Sequence, residues 1–119
     1  MESIRRLVAW QRAMDLVVEV YDLSRCFPRD ELFGLTSQVR RSVISVPSNI
    51  AEGNERDTLG ERRHFISTAR GSLAEVDTQL EAAVRVGYLE RKRLSNAAEL
   101  IDHTSRMLTN LRRNLNGRP

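Results

Sequence analysis

Apolar residues recur at every third or fourth position along almost the whole chain, and polar residues fill the positions between them. This spacing is typical of α-helices that bury one side, because about 3.6 residues make one turn. Proline, glycine and capping residues interrupt the pattern in three places. The pattern therefore predicts four amphipathic helices, at about 8–25, 30–52, 58–86 and 90–115. The second helix begins between Asp30 and Thr36, both of which are suitable caps, and the fourth begins between Glu90 and Asn96.

The third and fourth predicted helices carry the most regular apolar seams. Steps of three and four alternate without a break in both seams, which favours near-parallel packing at a shallow crossing angle. Short loops make consecutive helices antiparallel. The sequence thus predicts an all-α fold, an antiparallel up-down-up-down four-helix bundle that forms a single domain over residues 1–119. The seams are Ile66, Ala69, Leu73, Val76, Leu80 and Ala83, and Leu94, Ala97, Ile101, Thr104, Leu108, Leu111 and Leu115.

The first predicted helix carries two apolar seams side by side, which is more than one bundle core requires. Two interpretations remain open: the helix is deeply buried, or its second seam meets another subunit. The first seam comprises Leu7, Trp10, Met14, Val17 and Tyr21, and the second comprises Ala13, Leu16, Val20 and Leu23.

The second predicted helix combines a core seam, a proline and a polar stripe. Leu35, Val39, Val43, Val46 and Ile50 form the core seam, and Gln38, Arg41, Ser45, Ser48 and Glu52 form the polar stripe. Pro47 cannot donate to the carbonyl of Val43, so a kink softened by nearby hydroxyl groups is expected. Gly53 is a suitable C-terminal stop. Arg41 and Glu52 are too far apart to pair within the helix, so we predict that the stripe meets a neighbouring subunit.

The composition fits a folded chain: 40% of its 119 residues are hydrophobic and 29% are charged. Cys26 is the single cysteine, which excludes an internal disulfide framework and fits a reducing compartment. No apolar run is long enough for a signal peptide or a membrane span. A cytoplasmic protein without membrane contact is therefore expected.

The chain holds few groups that could form a metal or catalytic site. Helical bundles bind di-iron through paired Glu-x-x-His motifs, and the chain has one such motif, Glu61 to His64, on a face predicted to point away from the core. Cys26 has no predicted base beside it, and no glycine-rich phosphate loop occurs. No metal, cofactor or catalytic residue is predicted, and a small enzyme is the least favoured function.

Arginine supplies all but one of the basic residues, and the formal net charge is +3. Arginine forms bidentate contacts with phosphate, so clustered arginines are candidates for nucleic-acid binding. The alternatives are a solvated surface and a GC-rich coding bias. Aromatic residues are too scarce for base stacking, so sequence-specific or single-strand recognition is not expected. The candidates are Arg40, Arg41, Arg56, Arg62, Arg63, Arg70, Arg112 and Arg113.

Several segments together resemble the four-helix bundle family encoded in intervening sequences of bacterial 23S rRNA genes. The family includes the accessory variability protein of diversity-generating retroelements. The matching segments are 10–16, 27–28, 33–41, 46–53, 69–75, 78–80 and 87–89, including Val46-Pro-Ser-Asn-Ile-Ala-Glu-Gly53 and Ala69-Arg-Gly-Ser-Leu-Ala-Glu75. The resemblance implies an antiparallel bundle that assembles into homopentamers, often with a basic surface. The retroelement member binds nucleic acid and its reverse transcriptase, and no catalytic residues carry over.

Together the pattern and the resemblance predict a non-enzymatic, pentameric helical bundle that binds RNA or DNA weakly and without sequence specificity. Five copies of a chain with a net charge of +3 would carry +15, presented as repeated patches. The alternative is a structural adaptor that binds a protein partner, such as a reverse transcriptase, without contacting nucleic acid.

Overall fold

The computed structural model describes residues 2–117, with side chains described for residues 4–115. Within this range helices are joined by short turns and no strand occurs, which confirms the predicted all-α class. The helices are α1 (Glu2–Arg6), α2 (Val8–Ser24), α3 (Leu35–Asn54), α4 (Leu59–Arg85) and α5 (Ser95–Gly117). Two 3₁₀ turns, Arg29–Glu31 and Arg91–Leu94, precede α3 and α5. The periodicity predicted the four long helices but not α1.

The four long helices enclose the core. Helix α2 packs against α3 and α5, and α4 packs against the same two helices. All six residues of the predicted α4 seam are buried. The α3 seam is buried except for Leu35, which is half-buried, and the α5 seam is buried at Ala97, Thr104 and Leu108 and half-buried elsewhere. Apolar periodicity therefore identified the sides of α3, α4 and α5 that face the core.

The two apolar seams of α2 differ in burial, and the one proposed to meet another subunit is the buried one. Ala13, Leu16, Val20 and Leu23 are at most 1% exposed, so this second seam lies inside the chain's own core. The hypothesis that it meets another subunit is wrong, because α3 and α5 already cover it. The first seam is the outer one: Met14 is 38% exposed, and its other members are half-buried.

Helix α3 begins at Leu35, inside the predicted interval from Asp30 to Thr36, but its capping residue and its end differ from the prediction. The backbone N–H of Leu35 donates to Oε1 of Glu31 at 2.9 Å, so Glu31 caps the helix instead of Asp30 or Thr36. Gly53 lies inside the helix and is buried, and a Cβ there would lie 3.0 Å from the Cβ of Phe65. The predicted stop at Gly53 is therefore wrong, because this glycine provides space for α4 and does not end the helix.

Helix α4 has the ends that the sequence predicts. Thr58 accepts a hydrogen bond from the backbone N–H of Glu61 at 3.2 Å, and its hydroxyl lies 3.0 Å from the Glu61 carboxylate. Gly87 follows the helix with φ of 89°, a conformation that favours glycine. These two ends depend on neighbouring residues alone, which is why local sequence predicted them.

Pro47 is buried inside α3, and the helix continues past it. The side-chain amide of Asn49 donates to the carbonyl oxygen of Ser45 at 2.8 Å and to its hydroxyl oxygen at 2.8 Å. The group that hydrogen-bonds to the backbone beside the proline is thus the side-chain amide of Asn49. The sequence had suggested serine hydroxyl groups for this role.

No helix in the described part of the chain is long and apolar enough to cross a membrane.

Candidate functional site

The eight arginines proposed for nucleic-acid binding lie in three separate places. Arg40 and Arg41 are on α3 beside α2, and Arg56 and Arg62 flank the α3–α4 connection. Arg63 and Arg70 are on α4, and Arg112 and Arg113 are on α5. The structure therefore does not gather them into one patch, and each group has its own surroundings.

Arg56 and Arg62 stabilise the connection between α3 and α4. Arg56 forms an ion pair with Glu52, and its guanidinium carbon lies 4.9 Å from the ring centre of Phe65. Nε of Arg62 donates to the carbonyl oxygen of Arg56 at 2.8 Å. These contacts hold the turn together, so both side chains have a structural role before any ligand is considered.

Arg63 and Arg70 on α4 lie on either side of Ser67, which contacts Arg112 on α5, and we call these three arginines and the neighbouring, exposed Arg113 the basic face. Nε of Arg112 donates to the hydroxyl of Ser67 across the two helices at 3.0 Å. Arg63 and Arg70 lie four residues before and three residues after Ser67, so all three share one side of α4. Arg70 and Arg113 are exposed, and Arg63 and Arg112 are half-buried.

The two helix segments that carry the basic face contain no carboxylate, although Asp102, just before the second segment, pairs with Arg106. Residues 62–74 and 103–115 include no Asp or Glu, but they hold six of the arginines and both histidines. Ile66 and Leu111 line the same cavity, which shows that these two segments are adjacent in space. The fold thus joins two acid-free segments that are far apart in sequence, and this produces a local excess of positive charge.

At the opposite end of the molecule, arginines form ion pairs with a carboxylate of their own chain. Both terminal nitrogens of Arg91 donate to Glu81 at 2.9 Å, and Nε of Arg85 donates to the same carboxylate at 2.8 Å. Hydrogen bonds from Arg91 and then Arg85 lower the pKa of Glu81 to about 2. At this end Glu81 is shared by two arginines, whereas none of the four arginines of the basic face has an ion pair in the part of the chain that the structure describes.

The predicted subunit stripe is only partly available for a partner. The hydroxyl of Ser45 lies 2.8 Å from that of Ser72 on α4, and Glu52 pairs with Arg56. Glu52 therefore has a partner within its own chain, and the argument that it needs one outside was wrong. Gln38, Arg41 and Ser48 are exposed. A subunit contact through these three residues stays a prediction.

An apolar surface on the outer side of α2 and α3 was missed by the sequence analysis. We call it the α2–α3 face. Its exposed members are Met14, Val18, Leu32, Phe33 and Ile44, with exposed fractions of 38%, 70%, 50%, 94% and 41%. An open cleft of about 640 Å³ runs along it and is lined by Tyr21, Leu32, Phe33, Arg40, Arg41 and Ile44, among others. Ile44 is an apolar residue outside the core seam of α3, and this position was the signal in the sequence that could have indicated the surface.

A second cavity, of about 440 Å³, lies at the end of the molecule where α3 meets α4 and α5. Leu7, Ile50, Leu59, Leu111 and Leu115 supply most of its apolar wall. Arg62 also lines it, but its Nε is engaged by the carbonyl of Arg56. The cavity is therefore mainly an apolar space between helix ends.

The groups considered for metal or covalent chemistry do not converge in the described residues. No cluster of three His, Cys, Asp or Glu side chains there could hold a metal ion. Glu61, His64 and His103 are exposed, as their helical positions predicted. Cys26 is exposed, and its Sγ donates to the carbonyl oxygen of Leu23 at 3.2 Å.

Sequence and fold comparisons place the chain in a family. The chain belongs to the 23S rRNA-intervening sequence protein family, which matches residues 5–110. A solved structure from Bacteroides thetaiotaomicron VPI-5482, described as a protein of unknown function from the S23 ribosomal protein family, is similar in fold with a TM-score of 0.80. The similarity covers 87% of this chain and 97% of that one at 17% identity. No curated protein sequence matches the chain significantly.

Proposed function

We propose that the protein is a non-enzymatic helical bundle that binds the phosphate backbone of nucleic acid through the basic face. The observation that carries this proposal is the pairing of two acid-free segments, 62–74 on α4 and 103–115 on α5, by the contact between Ser67 and Arg112. Positive charge without a neighbouring carboxylate attracts polyanions, and each phosphate contact releases counterions.

The geometry of the basic face suits phosphate. Because Arg112 uses Nε to bind Ser67, its guanidinium is oriented while its two terminal nitrogens remain for an oxyanion. Arg63 and Arg70 are seven residues apart, which is about 10 Å along a helix. Phe65 is the only aromatic residue in the two segments, and Arg56 covers its ring. Binding therefore follows charge and is indifferent to base sequence.

The arrangement proposed for the long helices is the antiparallel up-down-up-down bundle. Two contacts between α3 and α4 support it: Ser45 meets Ser72, and Gly53 near the end of α3 meets Phe65 near the start of α4. Ala9 shares a cleft with Met107, while Asp22 pairs with Arg93 at 3.8 Å, and these contacts support opposite directions for α2 and α5 as well.

Salt-dependent titration tests the proposal. Fluorescently labelled duplex RNA and duplex DNA of equal length are titrated with protein at two salt concentrations. Replacement of Arg63, Arg70 and Arg112 by Ala should weaken binding more than tenfold and reduce the slope of log K against log salt by about 2.7, or 0.9 per lost contact. The matched control replaces Arg25, Arg29 and Arg85, which removes the same charge outside the basic face.

Three outcomes would overturn the proposal. The wild-type protein could fail to bind at low salt, its binding could be independent of salt, or the control triple variant could lose as much affinity as the basic-face variant. The first outcome would leave the adaptor alternative, in which the protein binds a partner such as a reverse transcriptase and has no direct role with nucleic acid.

A further inference from the structure

We propose that the α2–α3 face is a docking site for an acidic amphipathic helix of a partner protein. The apolar side of that helix would lie on Met14, Val18, Leu32, Phe33 and Ile44, and its carboxylates would bind Arg40 and Arg41. This inference uses a different surface from the basic face, so it stands independently of nucleic-acid binding. Because Arg41 also belongs to the polar stripe, it is an alternative to a subunit interface along that stripe.

Exposed apolar area is concentrated on this one side of the molecule. Of the eight large apolar residues that are exposed in the described part of the chain, five belong to the α2–α3 face. Phe33 is 94% exposed, although it lies in a well-defined turn directly before α3. Contiguous apolar surface of this kind marks an interaction site, because its burial is favourable and its exposure to water is not.

The charges within the cleft select an acidic partner. Arg40 and Arg41 line it, and none of the described lining residues is acidic. The nearby carboxylate of Glu31 is turned away, because it accepts hydrogen bonds from the Leu35 backbone at 2.9 Å and from the Tyr88 hydroxyl at 2.7 Å. A ligand carboxylate would therefore meet two guanidinium groups without a competing acid in the cleft.

Arg40 is oriented before any ligand arrives. Its Nε donates to the hydroxyl of Ser24 at 2.8 Å, and its guanidinium carbon lies 4.9 Å from the ring centre of Tyr21. The two terminal nitrogens have the fork geometry that binds a carboxylate at two points. Because the side chain is already held in place, less conformational entropy is lost when the carboxylate binds.

Shape and side-chain type favour a protein helix over a nucleic acid. The cleft is lined by α3, the turn before it and Tyr21 of α2. Met14 and Val18 are seven and three residues before Tyr21, so they extend the same side of α2 by about 10 Å, two turns of a docked helix. Leu32, Ile44 and Val18 are aliphatic and offer no stacking surface to bases. Arg40 covers the ring of Tyr21, so Phe33 is the one aromatic ring of the cleft that is open to a ligand.

The test uses two synthetic helix-forming peptides of 18 residues, with Leu at positions i, i+3, i+4 and i+7 in each repeat. One peptide carries Glu at the flanking positions and the other carries Lys. Fluorescence anisotropy should show saturable binding of the Glu peptide and at least tenfold weaker binding of the Lys peptide. Equal binding of the two peptides would overturn the charge argument.

Matched variants locate the site. Phe33→Ser and Arg41→Glu should each weaken binding of the Glu peptide at least fivefold. Val86→Ser and Arg85→Glu change an exposed apolar residue and an exposed arginine elsewhere and should leave binding unchanged. The triple variant of the basic face should also bind normally. If that variant loses the peptide while Phe33→Ser retains it, the docking site has been misassigned.

Two further results would assign a different occupant. If Phe33→Ser lowers the native mass of a self-associated protein, and the Glu peptide does not compete, the face is covered by a second copy of the chain. If labelled oligo(U) binds and Phe33→Ser abolishes that binding, the face recognises single-stranded nucleic acid. Phe33 is almost fully exposed, so circular dichroism should show unchanged helicity in the variant.

Discussion

At the scale of single residues, two glutamates join parts of the chain that are distant in sequence. Glu31 accepts from the backbone N–H of Leu35 and from the hydroxyl of Tyr88, so it caps α3 and ties that end to the α4–α5 connection. The Leu35 hydrogen bond, followed by that of Tyr88, lowers the pKa of Glu31, and the same carboxylate raises the pKa of Tyr88. The ionised form of Glu31 therefore favours the folded state. The second glutamate, Glu81, does the same through its hydrogen bonds with Arg91 and Arg85.

Replacing Glu81 by Gln should make stability less sensitive to acid. The folded pKa of Glu81 is about 2, against an ordinary value of 4.5, so its contribution is present above pH 4.5 and is lost as the pH falls towards 2. We expect the thermal midpoint of Glu81→Gln to be lower than that of the wild type at pH 7 and to fall less between pH 5 and 2.

Glu75→Gln is the control for this measurement, because Glu75 is exposed on the same helix and has no ion pair in the part of the chain that the structure describes. It should follow the wild-type curve. A Glu81→Gln curve with the full wild-type slope would show that Arg85 and Arg91 do not stabilise the fold through this carboxylate.

At the scale of helices, the close approach of α3 and α4 depends on a glycine. Gly53 is buried against Phe65, whereas a Cβ added at Gly71 on α4 would meet nothing within 4 Å. Glycine lowers helix stability by about 1 kcal/mol relative to alanine, so its presence inside a helix needs a reason. At Gly53 the reason is space for the neighbouring helix.

The two glycines should respond in opposite ways to substitution by alanine. Gly71→Ala should stabilise the protein by about 1 kcal/mol, because it adds helix propensity without a clash. Gly53→Ala should lower stability by about 1 kcal/mol, because overpacking against Phe65 outweighs the same gain. Urea unfolding midpoints at constant m-value measure both changes. Equal stabilisation by the two substitutions would show that Phe65 moves aside without cost.

At the scale of the whole molecule, charge and apolar surface are separated. The basic face lies on α4 and α5, the apolar α2–α3 face lies on the other pair of helices, and most ion pairs lie at the end that holds Glu81 and Arg91. The two proposed binding surfaces therefore do not overlap, so a polyanion and a protein partner bound to them would not compete. This arrangement is more informative than the small net charge of +3.

The homopentamer that the family resemblance implies remains a prediction, and native mass spectrometry at micromolar concentration tests it. The expected mass is five times the 13.6 kDa of one chain. The double substitution Gln38→Arg and Ser48→Arg would place like charges beside Arg41. If the polar stripe is the interface, this variant should have a lower native mass than the wild type. A monomeric wild-type protein would disprove the assembly, and an unchanged mass in the variant would exclude the stripe.

Much of the helical pattern was predictable because it depends on local order in the sequence. Apolar residues at steps of three and four identified the buried sides of α3, α4 and α5, and the Thr58 cap and the Gly87 stop were recognised from their neighbours. Where two apolar seams have the same periodicity, however, the pattern alone cannot identify which one is buried. The two seams of α2 are equivalent on a helical wheel, and only the placement of α3 and α5 decided which one is buried.

The sequence by itself determined the helical class, the extents of the long helices and the surplus of arginine, since these follow from composition and from spacing within one helix. Only the tertiary structure decided that Arg112 meets Ser67, that Gly53 makes room for Phe65, that Glu31 caps α3 and that Phe33 is left exposed. The physical reason is that each of these depends on distances between residues of different elements, and periodicity within one helix does not specify them.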